Sequence, residues 1–369
     1  MKLFTDPYVK RIILIFIAWR LILFTIAYLS PSLIPEIKQT YPYRYVLIDS
    51  GLSYWIWSFG NFDGVHYLRL AQEGYTNLQF TQAFFPVYPI LIKLVSFVTV
   101  GNFLIAGLLI SNISFFFALL LFYKLIREQY NQNIALWSSI FLISFPTSFF
   151  FGSVYSEGLF FLMIIGSFYL LELKKILLAS VVGAFASATR LVGVFLAPAL
   201  IRGNYLWSLL PLLIIPIGLV GYSIYLQVEF GDPLYFLTAQ NVWGQERSTQ
   251  IVLLPQVFFR YLKILLTSSG LPLLTSVFEL TATVFAIVVL ILATKKVQRE
   301  WLIFSWIAVI TPTLTGTLAS MPRYILIAFP IYIVLAQIKS TVIKFVILAI
   351  FIVLLATTTL LFTRGYWVA

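Results

Sequence analysis

The chain has 369 residues, 61% hydrophobic and only 10% charged, with a formal net charge of +11 and no cysteine. A mean hydropathy of +0.99 exceeds what a soluble core requires and indicates a polytopic α-helical membrane protein. The missing thiols exclude structural disulfides and thiolate metal sites. The 24 Lys and Arg, scattered between apolar spans, suit topology and anionic headgroups; no nucleic-acid motif is present. Long unbroken runs such as FLIAGLLISNISFFFALLLFY (103–123) argue against a transmembrane barrel, whose strands alternate over roughly ten residues.

The first segment, MKLFTDPYVKRIILIFIAWRLILFTIAYLS, has a basic flank and an apolar stretch too long for a signal-peptide core, so it is expected to be a retained anchor. Candidate spans follow at 9–29, 102–123, 134–150, 153–172, 206–227, 273–294, 301–318, 322–338 and 342–362, each near the ~20 residues that cross ~30 Å of hydrocarbon. Residues 84–100 carry Pro86, Pro89 and Lys93 and are expected to lie at the outer surface as an interfacial or re-entrant piece. Residues 176–201 carry Arg190 mid-run and Pro198 near the end and are expected to form a broken hairpin. A simple crossing there would put Arg202 outside and reverse one flank. With a cytoplasmic N-terminus and the hairpin, Lys2, Lys10, Arg11, Lys124, Arg127, Lys174, Lys175, Arg202, Lys295, Lys296, Arg299, Lys339 and Lys344 all fall inside, in short basic loops. The expected architecture is one all-α membrane domain over 1–369, a bundle of about 9–11 transmembrane helices. Two long external segments, 30–101 with interfacial helices and 228–272, are too apolar to be disordered, so chemistry is expected on that face. No internal repeat signals an inverted-repeat transporter.

The stretch NFDGVHYLRLAQEGY (61–75) gathers Asp63, Arg69, Glu73 and the single histidine, His66. Asp63 is a natural N-cap and Gly74 a natural stop, so a short interfacial helix is expected, with His66 one turn from both Asp63 and Arg69. The plain reading is a capping acid and a water-facing histidine. Against it stands the context, at the external mouth of a bundle and followed at once by AFFPVYP (83–89). An arginine in mid-span costs ~2.5–3.5 kcal/mol unless paired or hydrated, so Arg190 in ASATRLVG faces a cavity or a partner. Arg323 follows Pro322 in the first turn of another helix and looks into the same compartment; two such donor forks suit a phosphate. Glu157, at the external start of a span, is either a partner for one of these arginines or a second acid. Asp232 in GDPLYF and Arg364 in FTRGYWVA share that face, although turn chemistry accounts for the former and an anchoring role with Tyr366 and Trp367 for the latter. One histidine and no cysteine argue against zinc, while a divalent cation (Mg or Mn) held by carboxylates and a substrate phosphate stays open. No nucleophile elbow or P-loop occurs.

In order along the chain, NFDGVHYLRLAQEGY with AFFPVYP, SFPTSFFFGSVYSEGLFFL (144–162), ASATRLVGVFLAPAL (186–200), GDPLYFLTAQNVWG (231–244) and SMPRYILIAFP (320–330) resemble the PIG-V-like mannosyltransferases of the GT-C superfamily. The family pattern usually reads Trp before the acid and commonly Arg before that; this chain has Phe62 and Asn61. The resemblance implies a GT-C-type bundle and a polyprenyl- or dolichyl-phosphate sugar as donor, with transfer on the non-cytoplasmic side. It also implies Asp63 as the catalytic carboxylate. In that frame Asp63 is the general base, His66 orients it or binds phosphate, and Arg190 and Arg323 hold the donor phosphate. Glu157, Tyr155, Tyr324, Arg69, Asp232 and Arg364 form the supporting set. Inversion at the anomeric carbon is expected, and the acceptor is a glycolipid, a glycan or a protein. The expected location is a prokaryotic plasma (inner) membrane or the endoplasmic reticulum membrane. A flippase for lipid-linked sugars and a non-catalytic membrane subunit are the competing readings.

Overall fold

A computed structural model describes residues 7–37, 41–203, 206–240, 247–248 and 250–368. Lys2 and residues 241–244 of the GDPLYFLTAQNVWG segment lie outside the described residues. Among those described, every regular element is helical. Five helices are long and apolar enough to cross a membrane: α1 (Pro7–Leu33), α4 (Phe103–Gln129), α8 (Leu210–Phe230), α10 (Gly270–Ala293) and α14 (Thr341–Thr363). On α14, Ile343, Val346, Ile350 and Val353 recur at helical spacing and all stand exposed, as a lipid-facing stripe requires. The chain is an integral membrane protein of the all-α class.

Between these run shorter helices: α2 (Asp63–Glu73), α3 (Val87–Ser96), α5 (Gln132–Ser144), α6 (Glu157–Glu172), α7 (Ile176–Ser187), α9 (Leu254–Thr267), α11 (Arg299–Thr313), α12 (Met321–Tyr324) and α13 (Pro330–Ala336). Their ends follow local chemistry. Asn102, Asn131 and Ser340 cap α4, α5 and α14 by accepting from the amides of Ile105, Ile134 and Ile343. Several expected spans are shorter or broken. The span at 134–150 ends at Ser144 before Pro146, and the one at 153–172 starts only at Glu157. That at 322–338 divides into α12, a 3-10 turn at Ile325–Ile327 and α13, which Pro330 opens. Helix α3, with 10 residues, rises only ~15 Å and cannot cross; its exposed Ile90 and Leu94 suit an interfacial position.

Helix α6 sits at the centre, packed on α4 and α7. Its first turn reaches the core because Gly158 has no side chain: a Cβ there would meet the carbonyl oxygens of Ser111 and Phe151 at 2.6 and 2.7 Å. The 16 residues of α6 separate two polar ends by ~24 Å. At one end Arg202 donates to Glu172 at 2.8 Å and to Glu300 at 2.6 Å, while Gln129 bonds Glu172 and Gln298. At the other, Glu157 meets Arg190. Residues 176–203 therefore leave the Glu172 end, reach the Glu157 end at Arg190 and return. The turn is tight: a Cβ on Gly193 would lie 2.3 Å from the Ala186 carbonyl oxygen. This is the broken hairpin that Arg190 and Pro198 announce in the sequence.

Candidate active site

Helix α2 starts at a strained turn. Phe62 has φ +59°, a region that bulky residues rarely enter, and it immediately precedes Asp63. The surroundings hold it there. The Phe62 ring stacks on Tyr41 at 5.3 Å and meets Trp367 edge-on at 5.3 Å. Asn61 accepts from the Tyr41 hydroxyl at 2.5 Å and donates to the Phe362 carbonyl at 2.9 Å. The Tyr155 hydroxyl donates to the Asn61 carbonyl at 2.9 Å and accepts the Asp63 amide at 3.2 Å. Asp63 is thus the first helical residue rather than the cap. Helix α12 repeats the device, with Ser320 at φ +66° just before the turn that carries Arg323.

These two turns bring opposite charges together across 260 residues of sequence. Arg323 Nη1 donates to Asp63 Oδ2 at 2.6 Å. Arg323 Nε lies 3.4 Å from Glu157 Oε1, which also accepts from Arg190 Nη1 at 2.5 Å. Asp63, Arg323, Glu157 and Arg190 form one alternating chain drawn from four separate elements. Their accessibility separates their roles: the Asp63 side chain is 23% exposed and Glu157 only 2%. Asp63 is therefore the more accessible carboxylate of the two, and Glu157 is the buried counter-ion.

The chain of charges lines a cavity of about 1100 Å³. Tyr41, Phe62 and Trp367 give part of its wall, with Leu191, Val192 and Pro312 elsewhere. Arg247 lines it too, donating from Nη2 to the Tyr324 hydroxyl at 2.8 Å. Around the Tyr324 ring the guanidinium carbons of Arg190, Arg323 and Arg247 lie at 5.4, 5.5 and 5.6 Å. Both cavity carboxylates are held by guanidinium groups, so the remaining donor set suits an anion better than a divalent cation. Among the described residues no three His, Asp or Glu side chains gather at a metal-binding position.

His66 does not face water. It is buried at the cavity wall, stacked on Phe84 at 5.4 Å and edge-on to Tyr43 at 5.8 Å. Burial pushes its pKa down to about 4, against the pull of Asp63 and with the help of Arg69, so the imidazole is neutral at neutral pH. Tyr155 lies behind the site and Tyr324 within it. Three further sequence candidates, like Tyr155, are absent from the cavity lining. Arg69 pairs with Glu73 and covers the Tyr43 ring at 3.8 Å. Asp232 accepts the Leu234 amide at 2.9 Å in a local turn. Arg364 donates to the Ile34 carbonyl at 3.0 Å and covers Tyr54. Arg247 escaped sequence reading; its signal was only a cation in the second long segment, with no apolar run to make it costly.

The profile of a family described as mannosyltransferase (PIG-V) matches residues 9–206, which include Asp63, Glu157 and Arg190. With the membrane-spanning fold, that match defines the class: an integral membrane glycosyltransferase. The chain belongs to the PIG-V mannosyltransferase family. No curated protein and no solved structure matches it significantly.

Proposed function

We propose that this chain, as one membrane domain, transfers a mannosyl group from a polyprenyl- or dolichyl-phosphate donor to an acceptor hydroxyl with inversion. The carrying observation is the accessible Asp63 carboxylate held by Arg323 beside the Glu157 and Arg190 pair. Asp63 takes the proton from the acceptor hydroxyl as its oxygen attacks the anomeric carbon. The bond from that carbon to the phosphate oxygen breaks, and its electron pair leaves with the lipid phosphate. Attack opposite the leaving group converts a β-linked donor into an α-glycoside. Arg190, Arg323 and Arg247 line the cavity and offer guanidinium donors suited to the oxygens of a phosphodiester. Arg190, Arg323 and Arg247 are then in place for the charge that builds on the departing phosphate. Neutral His66, one turn from Asp63, orients that carboxylate or binds the donor phosphate without adding charge.

The acceptor hydroxyl belongs to a glycolipid, a glycan or a protein. Transfer takes place on the non-cytoplasmic face, outside a prokaryotic plasma membrane or in the endoplasmic reticulum lumen. Support comes from the other end of α6, where Lys174, Lys175 and Arg202 lie in short basic connections, as cytoplasmic loops do. The test is mannose transfer from synthetic polyprenyl-phosphate mannose by purified protein. Asp63→Asn should lower kcat by roughly 10²–10⁴ while folding and insertion persist. Full activity in that variant would rule out the base role. Donor crossing liposomes without transfer by either protein would establish a flippase instead.

A further inference from the structure

The loop that delivers Arg323 is clamped, residue by residue, from the second long segment and from a buried acid. The amides of Val252 and Ser248 donate to the carbonyls of Leu314 and Thr315 at 2.9 and 2.7 Å. Arg260 donates to the Gly316 carbonyl at 3.2 Å. The Tyr261 hydroxyl accepts the Leu318 amide at 3.0 Å, lies 3.3 Å from Thr317 Oγ1 and donates to Glu279 Oε2 at 2.6 Å. Glu279 Oε1 in turn accepts the amide of Ser320, the left-handed residue at the start of α12, at 3.3 Å. Glu279 is a buried carboxylate on the membrane-spanning helix α10. Such a group is costly to place and is retained where it has a task. Here its partners are a tyrosine and the backbone of a strained turn, three residues before Arg323.

We propose that Glu279, with Tyr261, is a positioning residue of the transfer reaction, holding the left-handed Ser320 turn so that Arg323 meets Asp63. Neither group lines the cavity, so both act through Arg323. The kinetic half of this inference rests on Arg323 serving the donor phosphate; the structural half does not. Tyr261 also connects the site to α9, whose exposed Phe259, Leu262 and Leu266 form an apolar face suited to the membrane surface.

The test combines hydrogen exchange in nanodiscs with kinetics on synthetic polyprenyl-phosphate mannose. In Glu279→Ala, exchange should accelerate over 314–324 and at the Ser248 and Val252 amides bonded to it and stay unchanged elsewhere, and kcat/KM for the donor should fall about 100-fold, as for a displaced catalytic group. The acceptor KM should move less than about twofold, since Glu279 is remote from the acceptor hydroxyl. Tyr261→Phe, which removes one oxygen, should shift both readouts the same way by less. Glu279→Gln keeps an acceptor for the Ser320 amide and should restore both toward wild type, a rescue that a bulk role of the buried charge would not give. Unchanged exchange and unchanged donor kinetics in Glu279→Ala would overturn the inference, as would loosening spread over the whole chain. Faster exchange at 314–324 in Glu279→Ala, with donor KM unaffected by Arg323→Ala, would sink the donor-phosphate reading and leave the clamp standing.

Discussion

Glu157 and Asp63 carry the same charge and share the same arginine, yet their removal should have opposite signatures. Glu157 is almost fully buried between Arg190 and Arg323, so its loss strands the Arg190 guanidinium and leaves Arg323 with Asp63 alone. Glu157→Ala should cost ~3–5 kcal/mol of stability, read as a lower unfolding temperature in detergent. Arg69→Ala removes a pair whose acid is about a third exposed and should change stability by less than ~1 kcal/mol. His66 gives a pH test. Its pKa rises from about 4 in the folded chain to 6.5 when exposed, so the unfolded chain binds more protons between these values. Its contribution is complete above pH 6.5 and disappears as pH falls toward 4, up to ~3 kcal/mol. Thermal unfolding at pH 7.5 and pH 5 should show this loss in the wild type and less of it in His66→Gln.

At the scale of elements, the site depends on places where ordinary helix is interrupted. Phe62 and Ser320 turn the chain in left-handed geometry just before Asp63 and Arg323, and the 176–203 hairpin breaks to present Arg190. Gly158 allows α6 to bring Glu157 against them. Gly158→Ala places a Cβ against two backbone carbonyls that cannot move aside, so it should destabilise by ~1–3 kcal/mol or abolish accumulation. Expression in membranes with a melting curve would measure it. The hairpin was legible in the sequence because an arginine and a proline inside an apolar run leave few alternatives. The breaks before Asp63 and Arg323 were not, because Phe and Ser carry no signal for positive φ.

For the molecule as a whole, the polar ends of the bundle should lie on opposite sides of the membrane. The absence of native cysteine makes this directly measurable. A cysteine in place of Lys174 should react with an impermeant maleimide only from the cytoplasmic side, and one at Gln79, on the cavity rim, only from the other. The reverse pattern, with the Gln79 site labelled only from the cytoplasm, would overturn the proposed face and move the chemistry to the cytoplasm, and labelling of both from one side would overturn the opposite placement of the two ends.

Composition and run length by themselves determined a helical membrane protein, since backbone polar groups in hydrocarbon must be satisfied within each segment. The cost of an arginine in an apolar run likewise marked Arg190, and the lone histidine beside an acid marked Asp63. Tertiary structure alone decided which charges meet. Glu157 became the buried counter-ion, Arg69, Asp232 and Arg364 fell away from the cavity, and Arg247 and Glu279 entered the account. The reason is geometric: the energy of an ion pair depends on distance and burial, and contacts between residues 63 and 323 or 279 and 320 are fixed only when α2, α10 and α12 pack.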